Sequence, residues 1–382
     1  MDASAKKNKI FFPNLDGLRF VCFLAVFLYH CNETIFPKIA NPKITSLLNF
    51  LFRNGNLGVN IFFVLSGFLI TFLLIKEKEF KQNISLKNFY IRRVLRIWPL
   101  FYLSVFLGFA VFPFFKYGTI PSPFEVSNFW SYILFAGNFN FIKIWPTAPD
   151  ALNLLVLWSV AVEEQFYFIW PIILKSFSKK IYPHIFILII AITLVFRSFF
   201  TGNYPVLHFH TFSVIGDMAL GGLAAYLCSS PSPFFNFIVN MKRGSIIAVY
   251  CLGIILILFK YYIFSYPVAL VPERILLGSF FAFIIIEQNF SKKSFFKFSG
   301  FKVITSLGIY TYGLYCLHFF GILIVEKVID KFQIPTGGLF SAILSTLAAL
   351  LITILLSYCS YHLFEKWFLK LKDRFAFIIK TN

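Results

Sequence analysis

Long apolar stretches follow one another along this chain, divided by short polar segments that hold most of its charge. Segments 185–196 and 246–259 show the pattern at its purest. A bilayer core of about 30 Å needs roughly twenty apolar residues in helical form, so the pattern predicts membrane-crossing helices. Ten spans are predicted, at about 16–32, 57–75, 91–113, 154–174, 181–200, 210–228, 245–263, 267–287, 303–325 and 338–363. The first is the weakest, because only 20–29 is uninterrupted. The expectation is a single all-α membrane domain over 1–382, with its core at about 12–368.

Composition supports that class. Of 382 residues, 59% are apolar and 13% charged, where a soluble domain carries about 25% charged residues. The net charge of +19 raises nucleic acid as a partner. Lys and Arg, however, collect in the short loops, where they orient spans, and no nucleic acid is expected. One side of the predicted topology holds 24 of the 35 Lys and Arg residues. By the positive-inside rule both termini lie in the cytoplasm of a multi-pass protein of the cell (inner) membrane. The N-terminal segment, basic but lacking a small-residue cleavage site, reads as a retained first span.

This topology puts the longest loop, about 114–153, outside. Its aromatic and Asn residues suit a cap, a sugar platform or an ordinary interfacial belt. The six cysteines sit in or beside apolar runs, where thiols pack as small apolar groups. They show neither a disulfide framework nor zinc spacing, and no metal is expected.

Ionisable groups inside spans are costly and mark functional candidates. Arg19 and His30 lie eleven residues apart, close to three helical turns, so they share a face about 16 Å long. Arg93 and Arg96 share a face at i,i+3 beside Arg92. Such guanidinium forks suit phosphate, while three arginines at a span boundary also serve simply as an anchor. In Trp158-Ser159-Val-Ala-Val-Glu163-Glu164-Gln-Phe-Tyr167, Glu163 falls at a depth similar to His30 and shares a face with Ser159. A carboxylate there would orient an imidazole and raise its basicity. Glu164 points elsewhere, toward a helix–helix contact. Asp16, Ser159, Tyr167 and His318 are candidate cavity-lining residues. Asp217, among Gly216, Gly221 and Gly222, reads as close helix packing. His208 and His210 fall at an outer boundary, and His184 and His362 receive no role.

These segments together resemble the acyltransferase type 3 family of membrane enzymes. The resemblance rests on Leu15-Asp16-Gly17-Leu18-Arg19 with His30, on Gly58-Val-Asn-Ile-Phe-Phe-Val-Leu-Ser66-Gly67, and on Arg93-Val-Leu-Arg96 with Pro99 and Tyr102. Trp158-Ser159 with Glu163 and Phe166-Tyr167, Tyr312 to His318, and Phe364-Glu365 with Trp367-Phe368 complete it. The resemblance implies a ten-span core that uses acyl-CoA, with acetyl-CoA the expected donor, to modify surface glycans or lipophilic acceptors. It further implies His30 as catalytic histidine, Arg19 as its paired cation, and Arg93 and Arg96 in the donor site. Glu163 would be the acidic position after the Trp-Ser pair. Two departures stand out. Some relatives carry a hydrolase-like domain after the core, whereas this chain ends about twenty residues past the last span. Asn60 also occupies a position that is acidic in many relatives.

The expected chemistry is acyl transfer from cytoplasmic acyl-CoA to a hydroxyl of a glycan or lipid-linked acceptor. His30 would act as general base or acyl carrier. The competing reading is a transporter or flippase for a glycan or small anion, since polar groups in a bundle also mark permeation routes. Against it stand the one-sided arginines and the lack of an inverted repeat or of paired broken spans.

Overall fold

Each stretch predicted to cross the membrane is helical in the computed structural model, which describes residues 12–111, 123–145, 154–230 and 232–375, with the backbone alone at 123–127. The ten long helices are α1 (Pro13–Thr34), α2 (Leu57–Lys81), α3 (Leu86–Phe106), α4 (Leu157–Ser176) and α5 (Tyr182–Phe199). They continue with α6 (Thr211–Ser229), α7 (Arg243–Leu258), α8 (Glu273–Phe290), α9 (Thr311–Phe332) and α10 (Leu339–Ser360). No strand occurs among the described residues, as the bilayer requires of a chain that is not a closed barrel.

Among the described residues, eight helical stretches are long and apolar enough to cross a membrane. A ninth follows if Pro233–Asn240 and α7, which meet at 97°, count as one span. The count is therefore just short of the ten expected. Helix α4 is not among them, because Glu163, Glu164 and Gln165 interrupt its apolar run. It lies inside the bundle, with Trp158, Val162, Phe166 and Trp170 all buried.

Local signals set several helix starts. Pro13 opens α1 with its missing N–H where no helical bond is lost. The Ser85 hydroxyl accepts the Asn88 N–H at the head of α3, and His210 caps α6 by accepting the Phe212 N–H at 3.2 Å. Large apolar side chains on the outward faces, such as Leu188, Val195, Leu351 and Leu355, are more than half exposed. Such a surface would aggregate in water and is solvated by lipid.

The closest helix packing joins α2 to α6. A Cβ at Gly67 would lie 2.0 Å from the Met218 carbonyl oxygen, and one at Gly221 would lie 1.9 Å from that of Val64. Small residues thus bring the two backbones together, the role expected of the glycines around Asp217. Asp217 itself forms a buried ion pair with Arg274 of α8.

The long loop at about 114–153 was expected to serve as a cap, a sugar platform or an interfacial belt. Part of 114–153 falls outside the described residues. The rest includes helices Pro123–Ile133 and Gly137–Ile144, and the turn between them reaches the middle of α4. Gln165 donates to the Phe135 carbonyl at 2.8 Å and to the Asn138 side chain at 2.9 Å. Asn138 is fully buried and donates onward to the Phe209 carbonyl and the Thr211 hydroxyl, each at 3.1 Å. Phe135 takes a left-handed backbone conformation, φ 52°, to make the turn. This part of the loop is therefore a re-entrant wedge fastened to α4 and α6. Trp130 and Trp145, by contrast, remain exposed.

Candidate functional site

Polar side chains run through the bundle from a cluster of cations, near the starts of α1 and α3, to two imidazoles at the opposite end. At the basic end, Arg19 donates to Asp16 at 2.7 Å across one turn of α1. The Arg93 guanidinium lies 5.4 Å from the Tyr167 ring centre and 5.6 Å from that of Phe89. Its buried Nε lacks a hydrogen-bond partner among the described residues. Arg96 is exposed, and its charge acts on Arg19, Glu163, Glu365 and Lys372. Arg92 is separate: it bonds Glu77 at 3.3 Å and the Phe375 carbonyl at 2.8 Å. Of the three neighbouring arginines, Arg92 is the anchor, and Arg93 and Arg96 gather with Arg19.

Two cluster members were not assigned from sequence. Lys372 comes from the helix Lys366–Asp373 and joins the field of Arg93 and Arg96. Glu365, buried at the bend that ends α10, accepts from the Ser360 hydroxyl at 2.9 Å. Glu365 had a sequence signal, the Phe364-Glu365 motif; Lys372 had none beyond its basic neighbourhood.

In the middle of the bundle, the Tyr167 hydroxyl bonds Ser66 and also reaches Glu163 at 3.1 Å. Nearer the far end, Ser159 and the Tyr315 hydroxyl are hydrogen-bonded at 2.8 Å, and each lies within reach of the Val156 carbonyl, at 3.1 and 3.2 Å. Glu164 accepts from the Trp98 indole at 2.9 Å, which makes it the helix–helix contact expected of it.

At the far end His30 is buried, at 8% exposure. Its ring centre is 5.2 Å from that of His318, 4.5 Å from Phe319 and 5.0 Å from Tyr29. Fully buried His318 bonds through Nδ1 to the Tyr315 carbonyl at 2.7 Å. A carbonyl accepts only, so Nδ1 carries the proton and Nε2 is left an acceptor. That Nε2 has no hydrogen-bond partner among the described residues. Phe23 and Phe27 pack edge-on against the His318 ring.

The carboxylate beside His30 is Glu33, with Oε2 at 3.2 Å from Nδ1. This corrects the expected pairing with Glu163. Glu163 is instead held by Tyr167, one turn along its own helix, in the field of Arg93 and Arg96. Glu33 was not singled out from sequence, although its i,i+3 spacing from His30 is a signal that could have found it. Ser159, Tyr167 and His318 all belong to the polar row. Asp16 stands at its basic end. Among the described residues no group of three or more His, Cys, Asp or Glu side chains could hold a metal ion.

His208 lies deeper than its boundary position suggested. Its ring stacks on Tyr204 at 5.3 Å and meets Trp158 at 5.4 Å.

The arrangement offers cations for an anionic group at one end and an imidazole–carboxylate pair at the other. The family profile described as "Acyltransferase domain" matches residues 12–362. The peptidoglycan O-acetyltransferase OatA of Listeria monocytogenes is 29% identical over 374 residues, 92% of this chain and 55% of that protein. The O-acetyltransferase OatA of Staphylococcus aureus is 28% identical over 375 residues, 93% of this chain and 57% of its own. The chain thus spans little more than half the length of these relatives. No solved structure matches it. With a family profile covering nearly its whole length, the chain belongs to the acyltransferase type 3 family.

Proposed function

We propose that this protein is a membrane O-acetyltransferase that takes acetyl-CoA at its basic end and acetylates a hydroxyl of a glycan or lipid-linked acceptor at the opposite end. One observation carries the reading: the polar row through the bundle joins the arginine cluster to the His30–Glu33 pair. The excess of Lys and Arg in the loops at the basic end supports a cytoplasmic placement of that end in the cell membrane. The relatives named as O-acetyltransferases support the group transferred, and the name of the Listeria protein supports a glycan acceptor.

In this reading Arg93, Arg96 and Arg19 hold the phosphates of coenzyme A, with Lys372 adding a fourth positive charge. The pantetheine arm extends into the bundle along Tyr167, Ser66 and Tyr315. Glu33 accepts the Nδ1 proton of His30 and leaves Nε2 as the base. The acceptor hydroxyl gives its proton to Nε2 as its oxygen attacks the thioester carbonyl. The C–S bond then breaks, and the departing thiolate takes the proton from His30, yielding the acetyl ester and coenzyme A. His30 thus ends the cycle unchanged.

The test is acetyl transfer from labelled acetyl-CoA in membranes holding the protein. His30→Ala is expected to abolish transfer while the protein stays folded and membrane-inserted. Full activity in that variant would overturn the assignment. Absence of any transfer or acetyl-CoA hydrolysis in the unaltered protein would favour a carrier.

A further inference from the structure

A second cationic feature stands at the far end, where the site described above has no arginine. Arg53 lies in the turn before α2. Its guanidinium carbon is 4.7 Å from the Tyr261 ring centre, 5.5 Å from that of Tyr262 and 5.6 Å from that of Phe50. Its Nε and Nη2 are buried and have no hydrogen-bond partner among the described residues. Three other cations of this end are matched: Arg274 by Asp217, and Arg197 and Lys260 by Glu273. A guanidinium carries five N–H donors in a fixed fork and loses much by leaving them unpaired out of water. Ring faces hold its charge but do not satisfy those donors.

The turn that carries Arg53 is pressed against α1 beside the proposed catalytic pair. A Cβ at Gly55 would lie 2.1 Å from the Ala25 carbonyl oxygen and 2.9 Å from the Cβ of Tyr29, the residue next to His30. Tyr29 lies close to Glu33, and Tyr204 and Tyr261 are near enough to interact with it. Tyr261 underlies Arg53, and Tyr204 stacks on His208. Half-exposed Tyr204 and Tyr261 thus stand near the His30–Glu33 pair, with an unpaired guanidinium to one side. Flat aromatic faces suit the apolar face of a sugar ring, and a guanidinium fork suits a carboxylate or phosphate.

From this geometry we infer an acceptor subsite for an anionic glycan: Arg53 grips a carboxylate or phosphate, while Tyr204 and Tyr261 seat the neighbouring sugar so that its hydroxyl meets His30. The inference rests on the function proposed above. Its anionic group has two sources, an acidic sugar or the phosphate of a lipid-linked glycan.

The protein in lipid nanodiscs separates the possibilities. Acetyl transfer and direct binding are measured with a uronic-acid oligosaccharide, with its methyl ester, and with a polyprenyl-phosphate-linked sugar. The anionic acceptors are expected to bind about ten- to a hundredfold more tightly than the ester, as one charge-assisted contact allows. Preference for the uronic acid would identify the acidic sugar, and preference for the phosphate-linked sugar the lipid linkage. Arg53→Gln is expected to erase that preference, raising the acceptor KM with no matching rise in the donor KM. Arg53→Lys, which keeps the charge without the fork, should retain part of it. Equal binding of all three acceptors by the unaltered protein would overturn the subsite, as would a preference that survives Arg53→Gln. Binding is read without catalysis, so absence of acetyl transfer would strike at the proposed function and leave the subsite to the binding result.

Discussion

Glu33 Oε2 and His30 Nδ1 stand 3.2 Å apart across one turn of α1, so a single helix carries both members of the proposed base pair. Such a carboxylate fixes the tautomer and stabilises the imidazolium formed when the base takes a proton. Glu33→Gln keeps the size and an accepting oxygen but removes the charge. General-base catalysis is worth about 10²–10⁴-fold, and this substitution should forfeit at least about tenfold in kcat. The KM for acetyl-CoA should hold, because the donor cations lie at the other end. Steady-state kinetics in nanodiscs checks this; a change confined to KM would place Glu33 in binding instead.

Arg96 should act on the donor alone. It is exposed, and its neighbours Arg19 and Lys372 carry like charge, an arrangement that favours a bound polyanion. Arg96→Ala is expected to raise the KM for acetyl-CoA about ten- to a hundredfold, with Lys372→Gln smaller in the same direction. S-acetyl-pantetheine, which lacks the nucleotide phosphates, supplies the control. The variant and the unaltered enzyme should use it equally, and a similar defect with both donors would defeat the phosphate role.

Much of this arrangement was legible in the chain and some of it was not, for reasons of reach. The span pattern located all ten long helices because bilayer thickness sets a length that any apolar run reveals. Arg19, His30, Arg93 and Arg96 stood out because charge within apolar sequence demands an explanation. Partnership across helices was harder. Glu163 and His30 were expected at a similar depth but do not meet, since Tyr167 on Glu163's own helix and Glu33 on His30's hold each of them locally. The wedge at Phe135–Asn138 falls within the loop that the charge pattern places outside, and nothing in its sequence pointed to partners on other helices. Its polar groups are instead satisfied by Gln165, Phe209 and Thr211 within the bundle. Arg274, within the span predicted at 267–287 but not singled out, is the counter-ion of Asp217.

That buried pair yields a prediction about stability. Asp217 is fully buried and Arg274 nearly so. Asp217→Asn would leave the guanidinium uncompensated, a change that typically costs about 3–5 kcal/mol. Removing both charges, with Asp217→Asn and Arg274→Met together, should recover most of the loss. Thermal unfolding in detergent distinguishes the cases. A double variant as unstable as the single one would show that shape, and not charge, governs this position.

Gly67 links helix packing to the site. Its Cα faces the Met218 carbonyl so closely that a methyl group would fall 2.0 Å from the oxygen. The obstacle is backbone, which cannot rotate aside, so Gly67→Ala must push α2 and α6 apart. Overpacking of this kind costs about 1–3 kcal/mol or more. The same shift carries Ser66 away from the Tyr167 hydroxyl it bonds, which should lower kcat in the protein that still folds. Gly244→Ala is the control, since a Cβ there meets nothing within 4 Å and should leave both melting and activity unchanged. Were Gly67→Ala to melt normally and lose activity, the fault would lie in the Ser66–Tyr167 link alone. Normal melting with normal activity would mean that the α2–α6 contact yields at little cost, and that close approach there is not what sets the line of polar groups in place.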